Sequence, residues 1–139
     1  MFLDTSGLLC LHHRDESEHG EACVLYRRSA RKVIHNYVLA EFVALAHARR
    51  LPRALALDFV WNIAVSPAFE VVWVDRRLHE EAMTLLRKQL DKTYSLCDAV
   101  SFLVMKEKGI SDALTTDKHF EQAGFRRLLR ERGGDRRLH

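Results

Sequence analysis

Four carboxylates occupy places in the sequence where an acidic side chain is an unusual choice. Asp4 ends the short apolar run of MFLDTS, and Asp117 ends that of ALTTD; Glu41 and Asp98 lie within the apolar stretches NYVLAEFVALA and SLCDAVSFLVM. Strands buried in a parallel sheet read as short apolar runs, and their carboxyl ends are where such sheets place ligand-binding and catalytic groups. The pattern predicts that Asp4 and Asp117 share one crevice.

Each strand-end carboxylate also has a purely structural interpretation. Asp4 would cap a short helix over residues 6–9, since aspartate is among the preferred capping residues. Asp117 or Thr116 would in the same way cap the helix that follows the second run. Only the repetition of the pattern at two strand ends favours a shared site over two separate caps.

The two carboxylates in apolar stretches leave two interpretations open as well. The helix around Glu41 is apolar on nearly every face, so we expect it to be buried most of the way round. A buried Glu41 needs a salt bridge, a hydrogen-bond network or a metal. Alternatively, Glu41 faces the one solvent-filled groove of the helix and pairs with an arginine. Ser95 and Asp98 have the spacing of a capping box, but a carboxylate is a costly cap for a helix with deeply buried neighbours.

Convergence of these four side chains would require a cation. At ~5 Å and an effective dielectric constant of about 20, each pair of carboxylates repels by about 3 kcal/mol. Oxygen ligands in that number suit Mg²⁺ or Mn²⁺, which keep several waters that a substrate phosphate displaces. Such an ion polarises a phosphoryl oxygen and lowers the pKa of a bound water. Phosphodiester hydrolysis is therefore the chemistry that the residues predict.

In this order the four motifs resemble the PIN-domain ribonucleases, in particular the VapC-like toxins of bacterial toxin–antitoxin pairs. The resemblance rests on FLDTSGLL, VLAEF, SLCDAVSF and TTDKHFEQAGF, and it covers nearly the whole chain. It implies that four carboxylates hold the metal and that two hydroxyl residues orient water or ligand. The metal ligands would be Asp4, Glu41, Asp98 and Asp117, and the hydroxyl residues Ser6 and Thr116.

The resemblance also implies a fold, an activity and partners. The fold is a three-layer α/β fold, with a five-stranded parallel sheet in the order 3-2-1-4-5 between helices. The activity is Mg²⁺- or Mn²⁺-dependent endoribonuclease action on RNA, restrained by a cognate antitoxin that fills the active groove. A homodimer is also expected: Phe59, Trp61 and Ile63 on one helix suit either ordinary core or a dimer contact.

Two positions near the motifs receive structural interpretations. Many relatives carry another acidic residue two places after the last aspartate, where this chain has His119. That substitution weakens the case for a second metal ion, and a histidine beside a polar helix start is more often a surface residue than a ligand. Asp75 also ends an apolar run, but the strand order places it at the sheet edge, where we expect only a helix cap.

Two rival functions remain. A phosphatase or phosphotransferase of the haloacid-dehalogenase type would use Asp4 as a covalent nucleophile. That chemistry commonly pairs the nucleophile with an aspartate two residues on, and here that place is Ser6. The other rival is a non-catalytic RNA- or protein-binding module on the same fold.

The remaining sequence alternates short β-type runs with longer helical stretches, which predicts a parallel sheet. The predicted strands cover residues 2–3, 33–35, 71–74 and 113–114, with a weak last strand from Gly124. The predicted helices cover residues 18–31, 37–50, 53–64, 76–90, 96–108 and 118–123.

Size and composition fit one nuclease domain over residues 1–130 followed by a flexible tail over 131–139. The 139 residues are 47% hydrophobic and carry a net charge of only +3, too small by itself to indicate nucleic-acid binding. No apolar stretch reaches the ~18 residues of a membrane span, and the first residues lack a signal-peptide pattern. Three cysteines without C-x-x-C spacing argue against disulfides and a zinc knuckle. We expect a soluble cytoplasmic protein with reduced thiols and no membrane association.

Overall fold

The computed structural model describes residues 1–130, and the predicted tail over 131–139 lies outside the described residues. Strands and helices alternate along the chain as the sequence pattern predicts. Their order is β1 (Phe2–Leu3), α1 (Thr5–His12), α2 (His19–Arg28), β2 (Lys32–His35), α3 (Asn36–Ala48), α4 (Arg53–Val65), β3 (Phe69–Val72), α5 (Arg76–Lys88), α6 (Leu96–Glu107), β4 (Asp112–Leu114), α7 (His119–Gln122) and β5 (Arg126–Arg127).

The five strands form one parallel sheet in the order β3-β2-β1-β4-β5, which confirms the predicted fold. The central strand β1 pairs with β2 on one side and β4 on the other, and its residue Leu3 stands opposite Leu114. Both residues are fully buried. The carboxyl ends of β1 and β4 therefore open side by side, at the point where the strand order reverses.

Helix α1 and strand β4 approach each other closely beside this edge. A Cβ atom added at Gly7 of α1 would lie 2.0 Å from the carbonyl oxygen of Leu114. Only glycine leaves room for that approach, because the atom in the way belongs to the backbone. The glycine thus brings the first turn of α1, with Ser6, against the end of β4.

The third strand begins and ends two residues earlier than predicted. All four residues of β2 pair with Phe69–Val72, so the ladder ends where β2 gives way to α3. Beyond it the Val74 amide donates to the Asn36 side chain at 2.6 Å, and Trp73 is exposed. The strand was predicted over the apolar run VVWV, but within residues 1–130 the second half of this run has no strand to pair with.

Asp75 is a helix cap, as the strand order predicts. Its Oδ1 accepts a hydrogen bond from the Leu78 amide at 2.8 Å, at the start of α5. We expect Asp75→Ala to lower the free energy of unfolding by about 1 kcal/mol, because it removes this cap. RNA cleavage should stay at the wild-type rate. Urea unfolding and a cleavage assay check both, and loss of cleavage by a folded variant would contradict the assignment.

Two further expectations concern cysteines and membranes. Cys10, Cys23 and Cys97 are all free, which agrees with the expected reduced thiols. Over residues 1–130, none of the helices is both long and apolar enough to span a bilayer.

Candidate functional site

Asp4 directly follows β1 and points into the crevice between the strand ends. It holds the N-cap position of α1, but its carboxylate makes no capping bond. Instead, Oδ2 accepts a hydrogen bond from the Thr115 hydroxyl at 2.8 Å. Asp4 is only 4% exposed, and this burial raises its pKa to about 7, with a further contribution from the Asp98 and Glu41 carboxylates. The fold thus holds a costly carboxylate beside two others.

A small hydroxyl network fixes this end of the sheet. The Thr115 hydroxyl accepts a hydrogen bond from the Asp117 amide at 3.0 Å and donates one to Asp4. The Ser6 oxygen lies 3.0 Å from the Thr115 oxygen and accepts from the Thr116 amide at 3.0 Å. Ser6 therefore lies at the site, whereas Thr116 supplies a backbone amide and Thr115 the hydroxyl that touches a carboxylate.

Sequence reasoning did not single out Thr115, although a signal for it existed. Leu3 stands opposite Leu114 across the ladder, so the next residues, Asp4 and Thr115, are cross-strand neighbours. Pairing the two apolar runs end to end, rather than matching their aspartates, would have identified it.

Thr115→Val keeps the shape of the side chain and removes the hydroxyl. We expect cleavage to fall by about 10- to 100-fold, as for other residues that orient metal-binding carboxylates. The free energy of unfolding should fall by about 1–3 kcal/mol, because the Asp117 amide loses its acceptor. Thr115→Ser should restore both properties. Wild-type cleavage by the valine variant would show that the hydroxyl does not position Asp4.

Asp98 forms the capping box that its spacing predicts, and its carboxylate also lies near the other acidic residues. Its amide donates to the Ser95 hydroxyl at 2.9 Å and its Oδ2 accepts from the Ser95 amide at 3.0 Å, which completes a capping box. The same Oδ2 lies 2.9 Å from Nδ1 of His119. Asp98 is 6% exposed and contributes to the raised pKa of Asp4. The cap therefore orients a carboxylate that also belongs to the crevice.

His119 lies beside the acidic residues, and its side chain is 25% exposed. Its Nδ1 is 3.4 Å from Oδ1 of Asp117, in addition to its contact with Asp98, and its Nε2 is 3.0 Å from the Thr93 hydroxyl. Asp117 in turn accepts from the His119 amide at 2.9 Å. This bond turns the chain at the start of α7, so the imidazole points at α6 instead of solvent.

Ligand atoms of Asp98, Asp117 and His119 all lie within 4.8 Å of one another. Within residues 1–130, no lysine or arginine pairs with the four candidate carboxylates, and the imidazole of His119 contacts two of them. Oxygen donors with one imidazole fit Mn²⁺ or Mg²⁺, with imidazole favouring the transition metal. The residues present therefore suit a divalent cation.

Glu41 reaches the same site from α3, although that helix is not buried most of the way round as predicted. Ala40, Glu41, Ala44 and His47 form an exposed stripe along it. Small alanine side chains cost little when exposed, so an apolar sequence does not require a buried face here. Glu41 makes no ion pair within the described chain, which leaves the expected arginine partner unsupported. Its carboxylate raises the pKa values of Asp4 and the Cys97 thiol, so it faces β1 and α6.

A buried histidine braces the helices that carry Glu41 and Asp98. His35 ends β2, and its Nδ1 accepts from the Val38 amide at 3.3 Å. Its Nε2 donates to the Ser101 hydroxyl at 2.8 Å, which donates to the Cys97 carbonyl at 2.9 Å. Burial lowers the pKa of His35 to about 3, so the ring is neutral and can play both roles. The start of α3 is thereby fixed to α6.

Sheet order and site together define the class of the protein, an α/β protein with an acidic crevice at its topological switch point, and the residues of that crevice suit a divalent cation. The chain belongs to the PIN-domain family, because the family model described as PIN domain matches residues 1–126. Both the predicted family and the predicted fold are thus confirmed.

Named relatives agree with the family match. The chain is 34% identical over 126 residues to the 23S rRNA-specific endonuclease VapC20 of Mycobacterium tuberculosis, in strains CDC 1551 / Oshkosh and ATCC 25618 / H37Rv. The alignment covers 90% of this chain and 95% of each relative. The crystal structure of VapC20, described as a Sarcin-Ricin loop cleaving toxin, matches with a TM-score of 0.82 at 33% identity, over 89% of this chain and 95% of that one.

Proposed function

We propose that this protein is a metal-dependent endoribonuclease and the toxin of a toxin–antitoxin pair. One observation carries the proposal: in a PIN fold, Asp98 lies within 4.8 Å of Asp117, and Asp98 and Glu41 are near enough to Asp4 to raise its pKa, although the four residues are distant in sequence. Relatives aligned over nearly the whole chain are named as an RNA endonuclease and a toxin, which supports the same activity here. RNA as substrate also favours the cytoplasm as the site of action.

The proposed substrate is 23S ribosomal RNA, and within it the sarcin–ricin loop. VapC20 is named for both, and the likeness to it extends over the sequence and the fold. The acidic crevice repels RNA phosphates until a cation is bound, so metal loading and substrate binding should be coupled.

Asp4, Glu41, Asp98 and Asp117 would hold Mg²⁺ or Mn²⁺, which when bound polarises a phosphoryl oxygen and supplies a nucleophilic water. The chain's own contribution is orientation. The Thr115 hydroxyl holds Oδ2 of Asp4, and the Ser95 amide holds Oδ2 of Asp98. His119 contacts both Asp98 and Asp117 through Nδ1. Glu41, the exposed member, is placed to accept a hydrogen bond from water in the groove.

A nuclease accounts for the site better than either rival. A covalent phosphatase needs an accessible nucleophile, yet Asp4 is buried and already accepts from Thr115. The acid/base position two residues on is Ser6, which is engaged by Thr115 and Thr116. A non-catalytic module has no need of four converging carboxylates, whose mutual repulsion opposes folding.

The homodimer and the antitoxin are proposed partners. Of the three residues predicted for core or dimer, Ile63 is buried and Phe59 packs on His12 and Phe42, whereas Trp61 is 68% exposed. Leu55 and Val65 are exposed on the same helix, α4, which supports a dimer contact there. Sedimentation equilibrium of Trp61→Ser tests it: an unchanged dimer would exclude this surface. The antitoxin is proposed to fill the acidic groove.

Cleavage of ribosomal RNA tests the proposed function. Purified protein is incubated with ribosomes in Mn²⁺, Mg²⁺ or excess chelator, and the cut ends are sequenced. We expect one dominant cut in the sarcin–ricin loop with metal, none with chelator, and none with Asp98→Asn. Asp75→Ala is the matched control, since it removes a capping aspartate outside the crevice. Identical RNA profiles with metal and with chelator would refute the proposal.

A further inference from the structure

A second cluster of metal-ligating side chains lies at the far end of α1. Cys10 is on the last turns of that helix and is 2% exposed. Glu16 lies in the connection to α2, and Glu18 directly precedes α2. Ligand atoms of these three residues all lie within 4.8 Å of one another. Six residues of helix, about 9 Å, separate Cys10 from Asp4, so this cluster is distinct from the acidic crevice.

Glu18 is the unusual member, because the residue is almost fully buried although its carboxylate has no hydrogen-bond or ion-pair partner within residues 1–130. The residue is 6% exposed and occupies the N-cap position of α2, but it makes no capping bond. No hydrogen bond or ion pair reaches its carboxylate from elsewhere in residues 1–130. Its oxygens keep contact with solvent, so they are accessible to a cation. One of its oxygens lies within 4.8 Å of the Cys10 sulfur and of a Glu16 carboxylate oxygen.

The surroundings hold this cluster in place. His19, the first residue of α2, contacts the Cys10 carbonyl through Nδ1 at 2.7 Å and so ties the two helices together. Its Nε2 lies 3.6 Å from the Cys23 sulfur. Glu16 accepts from Arg49 of α3 at 2.8 Å. The three ligands are thereby presented from two helix ends and the segment between them, with Glu16 anchored by Arg49 and the end of α1 tied to α2 by His19.

We propose that Cys10, Glu16 and Glu18 form a structural site for a borderline divalent transition metal such as Zn²⁺. Cysteine sulfur and carboxylate oxygens are both established zinc ligands, whereas Mg²⁺ does not favour sulfur. Three protein ligands leave a fourth position of the tetrahedral geometry for water. The ion would fasten the segment 13–18 onto α1. Irregular ligand spacing, without any C-x-x-C, explains why no zinc pattern is evident in the sequence.

Cobalt absorption tests the sulfur ligand. Metal-free, reduced protein is titrated with Co²⁺, whose bond to a thiolate gives a near-ultraviolet charge-transfer band that oxygen ligands do not give. We expect the band in the wild type, in Cys23→Ser and in Cys97→Ser, and its loss in Cys10→Ser. The Cys97 variant is needed because that thiol lies beside the acidic crevice. Absence of the band in the wild type, or its survival in Cys10→Ser, would overturn the proposal.

Thermal unfolding with Zn²⁺ tests the carboxylates and separates this site from the crevice. Glu18→Gln keeps the size of the side chain, so it should fold even if Cys10→Ser does not. We expect Zn²⁺ to raise Tm by on the order of 5 °C in the wild type and in Asp98→Asn, but not in Glu18→Gln. Glu18→Gln should still cleave RNA in Mn²⁺ at the wild-type rate. A Zn²⁺ effect lost in Asp98→Asn but kept in Glu18→Gln would assign the ion to the crevice and refute the second site.

Discussion

Asp4→Asn is expected to abolish RNA cleavage and, at the same time, to make the metal-free protein more stable at neutral pH. Asparagine keeps the shape of the side chain and still accepts the hydrogen bond from Thr115, but it has no charge to offer a cation. Cleavage should fall by a factor on the order of 1000, as when a principal electrostatic group is removed from an active site. Stability should rise because the variant no longer buries a carboxylate near Asp98 and Glu41.

The stabilisation has a defined pH dependence. Folding raises the pKa of Asp4 from 3.8 to about 7, which corresponds to at most about 4 kcal/mol. Below pH 3.8 the carboxyl is protonated in both states, so the variant gains nothing there. As the pH rises from 3.8 to 7, the unfolded chain ionises first and wild-type stability falls. The full advantage of the variant is reached above pH 7.

His35 acts in the opposite direction over nearly the same range. Its pKa is about 3 when folded and 6.5 when unfolded, so it makes the protein less stable as the pH falls below 6.5. In the wild type the two effects largely cancel between pH 4 and 6.5. In Asp4→Asn the histidine acts alone, and stability should rise with pH across that interval.

Urea unfolding in excess chelator at pH 4, 6 and 8, together with the RNA assay, measures these effects. Asp75→Asn serves as the control, because it changes an aspartate that caps a helix away from the crevice. If Asp4→Asn cleaved RNA normally, Asp4 would not be a metal ligand. If it were less stable than the wild type at pH 8, the Asp4 carboxylate would not oppose folding.

Gly7→Ala is expected to destabilise the protein and inactivate it together. The added Cβ would lie 2.0 Å from the Leu114 carbonyl oxygen and 2.8 Å from its carbon. Neither atom can move without shifting β4 or α1, so the loss in unfolding free energy should be on the order of 3 kcal/mol. The hydroxyls of Ser6 and Thr115 contact each other where α1 packs against the end of β4. Moving α1 away from β4 should therefore lower cleavage by about 100-fold.

Gly20→Ala provides a matched control for this prediction. Gly20 is also helical, but nothing lies within 4 Å of a Cβ added there. Alanine favours a helix over glycine, so this variant should gain up to about 1 kcal/mol and cleave RNA normally. Chevron or equilibrium unfolding of the two variants in chelator makes the comparison. Equal stabilities would show that the approach of α1 to β4 is looser than described.

The alternation of strands and helices and the four acidic residues were predictable from local patterns, whereas the sheet order was predicted from the family resemblance. β1 and β4 are only two and three residues long, yet each ends an apolar run at a polar residue, and that ending marks the crevice. Asp98 was predictable both as a cap and as a site residue, since the S-x-x-D spacing fixes its direction at the start of α6. These features need no knowledge of distant contacts.

The remaining features depend on contacts between distant segments. Thr115 rather than Thr116 touches Asp4 because of the β1–β4 register, which a single strand does not reveal. His119 turns inward only because Asp98 and Thr93 lie beside it in the folded chain. On α3 the alanines of the exposed stripe are not covered by any other element of residues 1–130. The site at Cys10 needs the segment 13–18 to fold back onto α1, which no periodicity predicts.

Anomalous diffraction from crystals soaked in Mn²⁺ tests the central claim most directly, because it locates the ion without relying on activity. We predict a strong peak in the crevice at the carboxyl ends of β1 and β4, with ligands drawn from Asp4, Glu41, Asp98 and Asp117, and its loss in Asp98→Asn. A fully soaked crystal with no peak in this crevice, or a peak there that Asp98→Asn leaves unchanged, would contradict the account.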